Sequence, residues 1–253
     1  MNNYKNYIAE FLGTLLLVFI AAGAVCADYS LKKAGGLGAG YAWAIVVFSI
    51  VVVAVVYATS YISGSHINPA VTISFLVTGR MDSGTAAFYI ISQLLGAVIA
   101  GFFLRILFPD AVSTVHLGTC ALGKGVEFWK ALLIEAVMTF LFVFTIYATA
   151  VDRPPEAPLG VASRSDSVGR TLIRVLAGVA IGLVYLFGAL VASSISGGAL
   201  NPARVFGPAV ASGHFDYHFV WWLGPVSGGI GAVFLYDRIF SRKSAKEKLL
   251  PAK

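Results

Sequence analysis

Charge is what this sequence has least of. Only 12% of its 253 residues are Asp, Glu, Lys or Arg, against 58% hydrophobic, where a soluble domain is about a quarter charged. Together with a mean hydropathy of +0.84, that shortage excludes an ordinary soluble chain and places the protein in a bilayer. Cysteine is nearly absent as well. Cys26 and Cys120 are the only two, which excludes a disulfide scaffold or a thiolate metal cluster; two unpaired thiols is the favoured reading, one disulfide the alternative. The four histidines are too few and too far apart to bind metal: His116, His214 and His218 are scattered along outer loops or a helix edge, so neither metal nor cofactor is expected. A nucleophile–base signature and a phosphate-binding glycine loop are missing too, so an enzyme is not expected.

What the chain does have is long apolar runs. Segments able to cross about 30 Å of hydrocarbon fall near 7–27, 39–61, 86–108, 129–151, 171–193 and 217–240, within one membrane domain covering 1–253. Lys5 ahead of the first run imitates a signal peptide, but the acidic Glu10 inside that run argues for a retained span. Basic residues of the short connections set the orientation. Lys5, Arg80, Arg153, Arg164, Arg170 and Arg174 would share one side with the tail at 241–253, so both termini are expected in the cytoplasm of a multi-pass protein of the plasma or inner membrane. The net charge of +6 is mostly this bias; the tail reads as a lipid-headgroup contact, and no nucleic-acid partner is expected. Asp152 to Arg170 reads as a flexible connector, with a gating loop as the alternative.

A phrase of the form SGxxxNPA occurs twice, at Ser63–Ala70 and at Ser196–Ala203. Each opens a short apolar segment, roughly 68–78 and 201–211, that cannot cross a bilayer as a helix at 1.5 Å per residue. Asn68 and Asn201 suit N-caps and Pro69 and Pro202 suit the first helical position, with Ala70 and Ala203 following, so both segments read as re-entrant half-helices. The repeat extends to E-x-x-x-T in the first and fourth spans, at Glu10 and Glu135. Each half therefore has three spans and one half-helix, and an odd number of spans inverts the second half. The expectation is an all-α membrane protein with six transmembrane helices, two half-helices and inverted repeats at approximately 5–110 and 129–240. Interrupted segments at matching positions of two halves point to a transport site at the bilayer midplane.

Two half-helices entering from opposite faces bring their partly positive N-termini together, which repels cations and protons. Amides of Asn68 and Asn201 can donate to a passing water and break the chain along which a proton would hop. Non-helical backbone at this depth must line a wet cavity or be buried, so the carbonyls of Gly64, Ser65 and His66 and of Gly197, Gly198 and Ala199 are expected as pore-lining acceptors. Tight helix packing is the alternative use of these glycines. Glu10 and Glu135, charged within spans, read either as proton-coupling groups or as braces for the backbone.

The paired SGxxxNPA phrases, Arg204 after the second, the paired glutamates, Gln93 within Ile91–Ala97 and Phe206-Gly207-Pro208 resemble the aquaporin, or major intrinsic protein, family over nearly the whole chain. The resemblance implies a passive water channel, a homotetramer with one pore per subunit, bracing roles for Glu10 and Glu135, and Arg204 in an outer constriction. Counting from the motifs carries over the other filter positions as Phe48, Ala189 and Gly198. Ala189 stands where many water-selective members have histidine, so the filter is expected to be wider and less polar. Val205 and Ala209, and the pair Trp221-Trp222, point back to the water-channel branch. The combined expectation is a channel for water that also passes small uncharged solutes such as ammonia, urea or glycerol; a secondary transporter and a membrane-junction protein are the alternatives.

Overall fold

The computed structural model describes residues 4–151 and 167–240, and among them every regular element is helical. In chain order these are α1 (Tyr4–Lys33), α2 (Tyr41–Thr59), α3 (Pro69–Val77), α4 (Ser83–Leu107), the single turn α5 (Ala111–Thr114), α6 (Phe128–Ile146), α7 (Ser167–Ser196), α8 (Pro202–Ser212) and α9 (Val220–Ile239). A 3-10 turn at His116–Gly118 follows α5, and a π turn at Tyr147–Val151 prolongs α6. The basic tail at 241–253 and most of the Asp152–Arg170 connector lie outside the described residues.

Among the described residues, five helices are both long and apolar enough to span a membrane: α1, α2, α4, α6 with its π turn, and α7. The sixth expected span is α9, whose 20 residues reach about 30 Å but carry Pro225, Asp237 and Arg238. Asp237 is neutralised by packing: Arg80 makes two hydrogen bonds to it, both 2.6 Å, and lies over the Tyr147 ring at 4.9 Å. By contrast α3, with nine residues, extends only about 14 Å. We term the side on which α1 begins and α9 ends the inner face.

Small residues set how closely the helices approach. A Cβ on Gly96 would lie 2.3 Å from the Phe11 carbonyl, pinning α4 to α1, and one on Gly228 would lie 2.0 Å from the Ala136 carbonyl, pinning α9 to α6. The half-helices interlock the two halves by the same means. On α8, Gly207 seats against the Ala97 carbonyl of α4; on α9, Gly229 seats against Ser74 of α3. Each half-helix thus docks on the last long helix of the opposite half, which fixes both N-termini near the centre.

Candidate functional site

The local chemistry of the two phrases is the same. Asn68 and Asn201 have extended backbones and accept from the amides of Ala70 (2.9 Å) and Ala203 (3.0 Å), with proline at the first helical position. Each side-chain amide also crosses to the other half: Asn68 Nδ2 donates to the Leu200 carbonyl and Asn201 Nδ2 to the Ile67 carbonyl, both at 2.9 Å. A primary amide has two N–H groups, so each asparagine retains a second donor, and both side chains line a central cavity of about 220 Å³.

The segments before each asparagine are strained. Ile67 and Leu200 sit in the left-handed region at φ 42° and 52°, costly above all for the β-branched isoleucine. The glutamates hold them there. Glu10 accepts from Ser63 Oγ (2.7 Å), His66 N (2.9 Å), Ile67 N (2.6 Å) and Gln93 Nε2 (2.7 Å). Glu135 accepts from Ser196 Oγ (2.7 Å), Ala199 N (2.8 Å) and Leu200 N (2.8 Å). Both carboxylates are fully buried, and the donors they engage keep the carbonyls turned the other way.

Those carbonyls are not equivalent. Gly64, Ser65 and His66 line the central cavity, where the His66 ring lies against Phe75 (4.3 Å) and Tyr89 (5.2 Å) and bonds Thr72 Oγ1 at 3.1 Å. On the other side the Gly197 carbonyl already accepts from Tyr41 Oη at 2.8 Å, and the Ala199 carbonyl from Tyr185 Oη. The expected acceptor row is therefore partly occupied in its outer half. Gly198 has room for no side chain, since a Cβ there would fall 2.5 Å from the Ala189 carbonyl.

Arg204 is buried beside this row. Its Nη1 donates to the Gly118 carbonyl at 2.6 Å, its guanidinium lies 5.8 Å from the Phe48 ring centre, and its Nε meets no partner among the described residues. Phe48, Gly198, Arg204 and Tyr41 line a second, outer cavity of about 10 Å³, close to the least that holds one water. Ala189 is buried directly behind Gly198 and lines neither cavity. The lining of this outer cavity includes Gly198 and not Ala189, so the Ala189 side chain contributes no width to it.

One further expectation changes. The histidines of the outer face are not scattered: His116 and His214 stack at 3.8 Å with a 4° interplanar angle, and His218 adjoins Phe215 at 5.1 Å. The return of the chain after α8 brings them together, yet among the described residues no group of three or more His, Cys, Asp or Glu is placed to hold a metal ion. Both cysteines are buried and free. Trp221 is buried and donates to the Ser196 carbonyl at 3.0 Å. Sequence reasoning missed Tyr41, Tyr185 and Gly118. The two tyrosines carried a weak signal, being phenols within apolar runs.

Comparison with known proteins agrees with this geometry. The family model described as Major intrinsic protein matches residues 1–236. The chain is 37% identical over 251 residues to a probable aquaporin TIP1-2 of Oryza sativa subsp. japonica, covering 97% of this chain and 90% of the relative. Identity is also 37% over 251 residues to aquaporin TIP2-1 of Arabidopsis thaliana, covering 98% and 92%. A solved aquaglyceroporin from Plasmodium falciparum superimposes with a TM-score of 0.77 over 94% of this chain and 97% of that one, at 21% identity.

Proposed function

The chain belongs to the major intrinsic protein family, and on that premise we propose a pore that passes water and small uncharged solutes between Asn68 and Asn201 while excluding protons and other ions. The protein is a passive channel in a membrane, not an enzyme. The observation that carries the finer reading is the meeting of two half-helix N-termini, each capped by an asparagine that bridges to the other half and lines the cavity. Positive helix ends disfavour cations there. A water whose oxygen accepts from the asparagines turns its hydrogens away from the midplane on both sides, so a proton has no continuous path. Arg204 adds a fixed positive group in the outer cavity, and its planar donor fork holds water as it repels cations.

Glu10 and Glu135 serve as braces in this reading. Four and three donors, respectively, converge on their carboxylates, which favours support of the strained backbone over proton coupling. The bias of lysine and arginine supports cytoplasmic termini; a plasma or inner membrane is the proposed location. A homotetramer with one pore per subunit is the proposed assembly. The test is stopped-flow light scattering on proteoliposomes under an impermeant osmolyte and under glycerol, urea and ammonium gradients. Protein-dependent water flux with faster uptake of at least one neutral solute supports the reading; water flux no faster than in empty vesicles ends it.

A further inference from the structure

The central and outer cavities abut at Phe48, which lines both. Arg204 approaches that ring from the outer cavity, while Tyr185, which lines the central cavity alone, meets it edge-on at 4.5 Å. Tyr185 lies four residues before Ala189 on α7, one helical turn inward on the same face. Its side chain is 1% exposed, and three contacts fix its ring: the Phe48 edge, the Phe142 ring at 5.4 Å, and the hydrogen bond from its hydroxyl to the Ala199 carbonyl. The peptide groups on either side of Ala199 are thus held together, the N–H by Glu135 and the carbonyl by Tyr185.

The other half of the repeat supplies an internal control. Sixteen residues before Asn201 stands Tyr185; sixteen before Asn68 stands Val52, which also lines the central cavity but has neither ring nor hydroxyl. Correspondingly, the Ala199 carbonyl is occupied, whereas among the described residues no side-chain hydroxyl meets the carbonyl of His66, at the matching place in the first phrase. The difference is local to the boundary between the cavities, where a solute leaving the outer cavity must pass Phe48.

We propose that Tyr185 is the positioning residue that sets the size limit for neutral solutes: it props the Phe48 ring from the inner side, at the boundary between the two cavities. The proposal rests on the channel reading above. In it, discrimination between water and three-carbon polyols depends on a wall of two aromatic rings, one of them anchored by a hydroxyl, and not on the side chain at Ala189.

The experiment compares wild type, Tyr185→Val, Tyr185→Leu and Tyr185→Phe in proteoliposomes of matched protein content, with water, urea and glycerol permeabilities measured in parallel. Tyr185→Val should raise the glycerol-to-water ratio about tenfold, the discrimination that a small change in a close-fitting apolar site controls. Tyr185→Leu should raise it less, and Tyr185→Phe, which keeps the ring, should stay near wild type. A purely structural role would lower all fluxes together and would not be rescued by phenylalanine. Should Tyr185→Val fail to reach the membrane, the leucine and phenylalanine variants decide. An unchanged ratio in the aliphatic variants with water flux retained overturns the proposal, as does a phenylalanine variant as permissive as the aliphatic ones. Absence of water flux in the wild type would instead overturn the channel reading itself.

Discussion

Replacing Glu135 by leucine should collapse the outer half of the pore, and the size of the effect follows from the contacts it makes. Its carboxylate accepts from Ser196 Oγ, Ala199 N and Leu200 N at 2.7, 2.8 and 2.8 Å. Leucine has similar bulk but no acceptor, leaving two backbone N–H groups buried without partners, at about 1–3 kcal/mol each. Leu200 already occupies the left-handed region at φ 52°, where a non-glycine residue costs on the order of 1–3 kcal/mol. With its restraint removed, the segment relaxes, and the Leu200 carbonyl that Asn68 uses moves with it. The total, about 2–6 kcal/mol from the two orphaned groups alone, is a large fraction of the roughly 5–15 kcal/mol that stabilises a typical domain. Glu135→Gln should be milder, since one oxygen remains to accept while the amide faces one of the former donors. The assay is stopped-flow water permeability per inserted protein, with the melting temperature of the purified protein alongside. Wild-type permeability and melting temperature in Glu135→Leu would refute the bracing argument.

Other perturbations probe separate parts of the account. Asn201→Ala removes an N-cap, worth about 1 kcal/mol, together with the bridge to the Ile67 carbonyl; thermal melting should fall, and a pH-sensitive dye inside vesicles should report increased proton entry. Gly207→Val should prevent correct assembly, because a Cβ there would lie 2.1 Å from the Ala97 carbonyl; yield of the detergent-stable protein measures this, and normal yield would contradict the interlocking of α8 with α4. Arg204→Val should retain water flow while admitting small cations, more so when combined with Phe48→Ala; voltage-clamp recording checks both, and unchanged exclusion would leave Arg204 a structural role. Burial, and then the neighbouring His116, hold the His214 imidazole below its ordinary value, so neutral histidine favours the folded outer face. That contribution is complete above about pH 6.5 and declines as pH falls below it. Melting temperature should therefore drop on acidification, and His214→Phe should flatten the slope.

How much of this was legible in the sequence depended on distance along the chain. Both half-helices were, because Asn68 with Pro69 and Asn201 with Pro202 are local start signals that need no tertiary context, and observed helices at Pro69–Val77 and Pro202–Ser212 lie within a residue of the expected spans. Glu10 and Glu135 were visible as rare carboxylates within apolar runs, but their donors were not, since Ser63 lies 53 residues from Glu10 and Ser196 lies 61 from Glu135. Gly118 reaches Arg204 across 86 residues and Tyr41 reaches Gly197 across 156; nothing in composition or periodicity encodes such meetings. The outer histidines were misjudged for the same reason: His116 and His214 are distant in sequence and stacked in space. Ala189 shows a further limit, since counting from a motif finds a position on a helix without revealing that it lines neither cavity.

The central claim is that the paired half-helices make a path for water that protons cannot use. One preparation tests it: proteoliposomes holding the purified protein and an internal pH-sensitive dye, followed by light scattering under an osmotic gradient and by dye fluorescence under a proton gradient at osmotic balance. The account predicts shrinkage much faster than in empty vesicles and a proton entry rate indistinguishable from theirs. Protein-dependent proton entry comparable with the water flux, or shrinkage no faster than in empty vesicles with the protein correctly inserted, would contradict it.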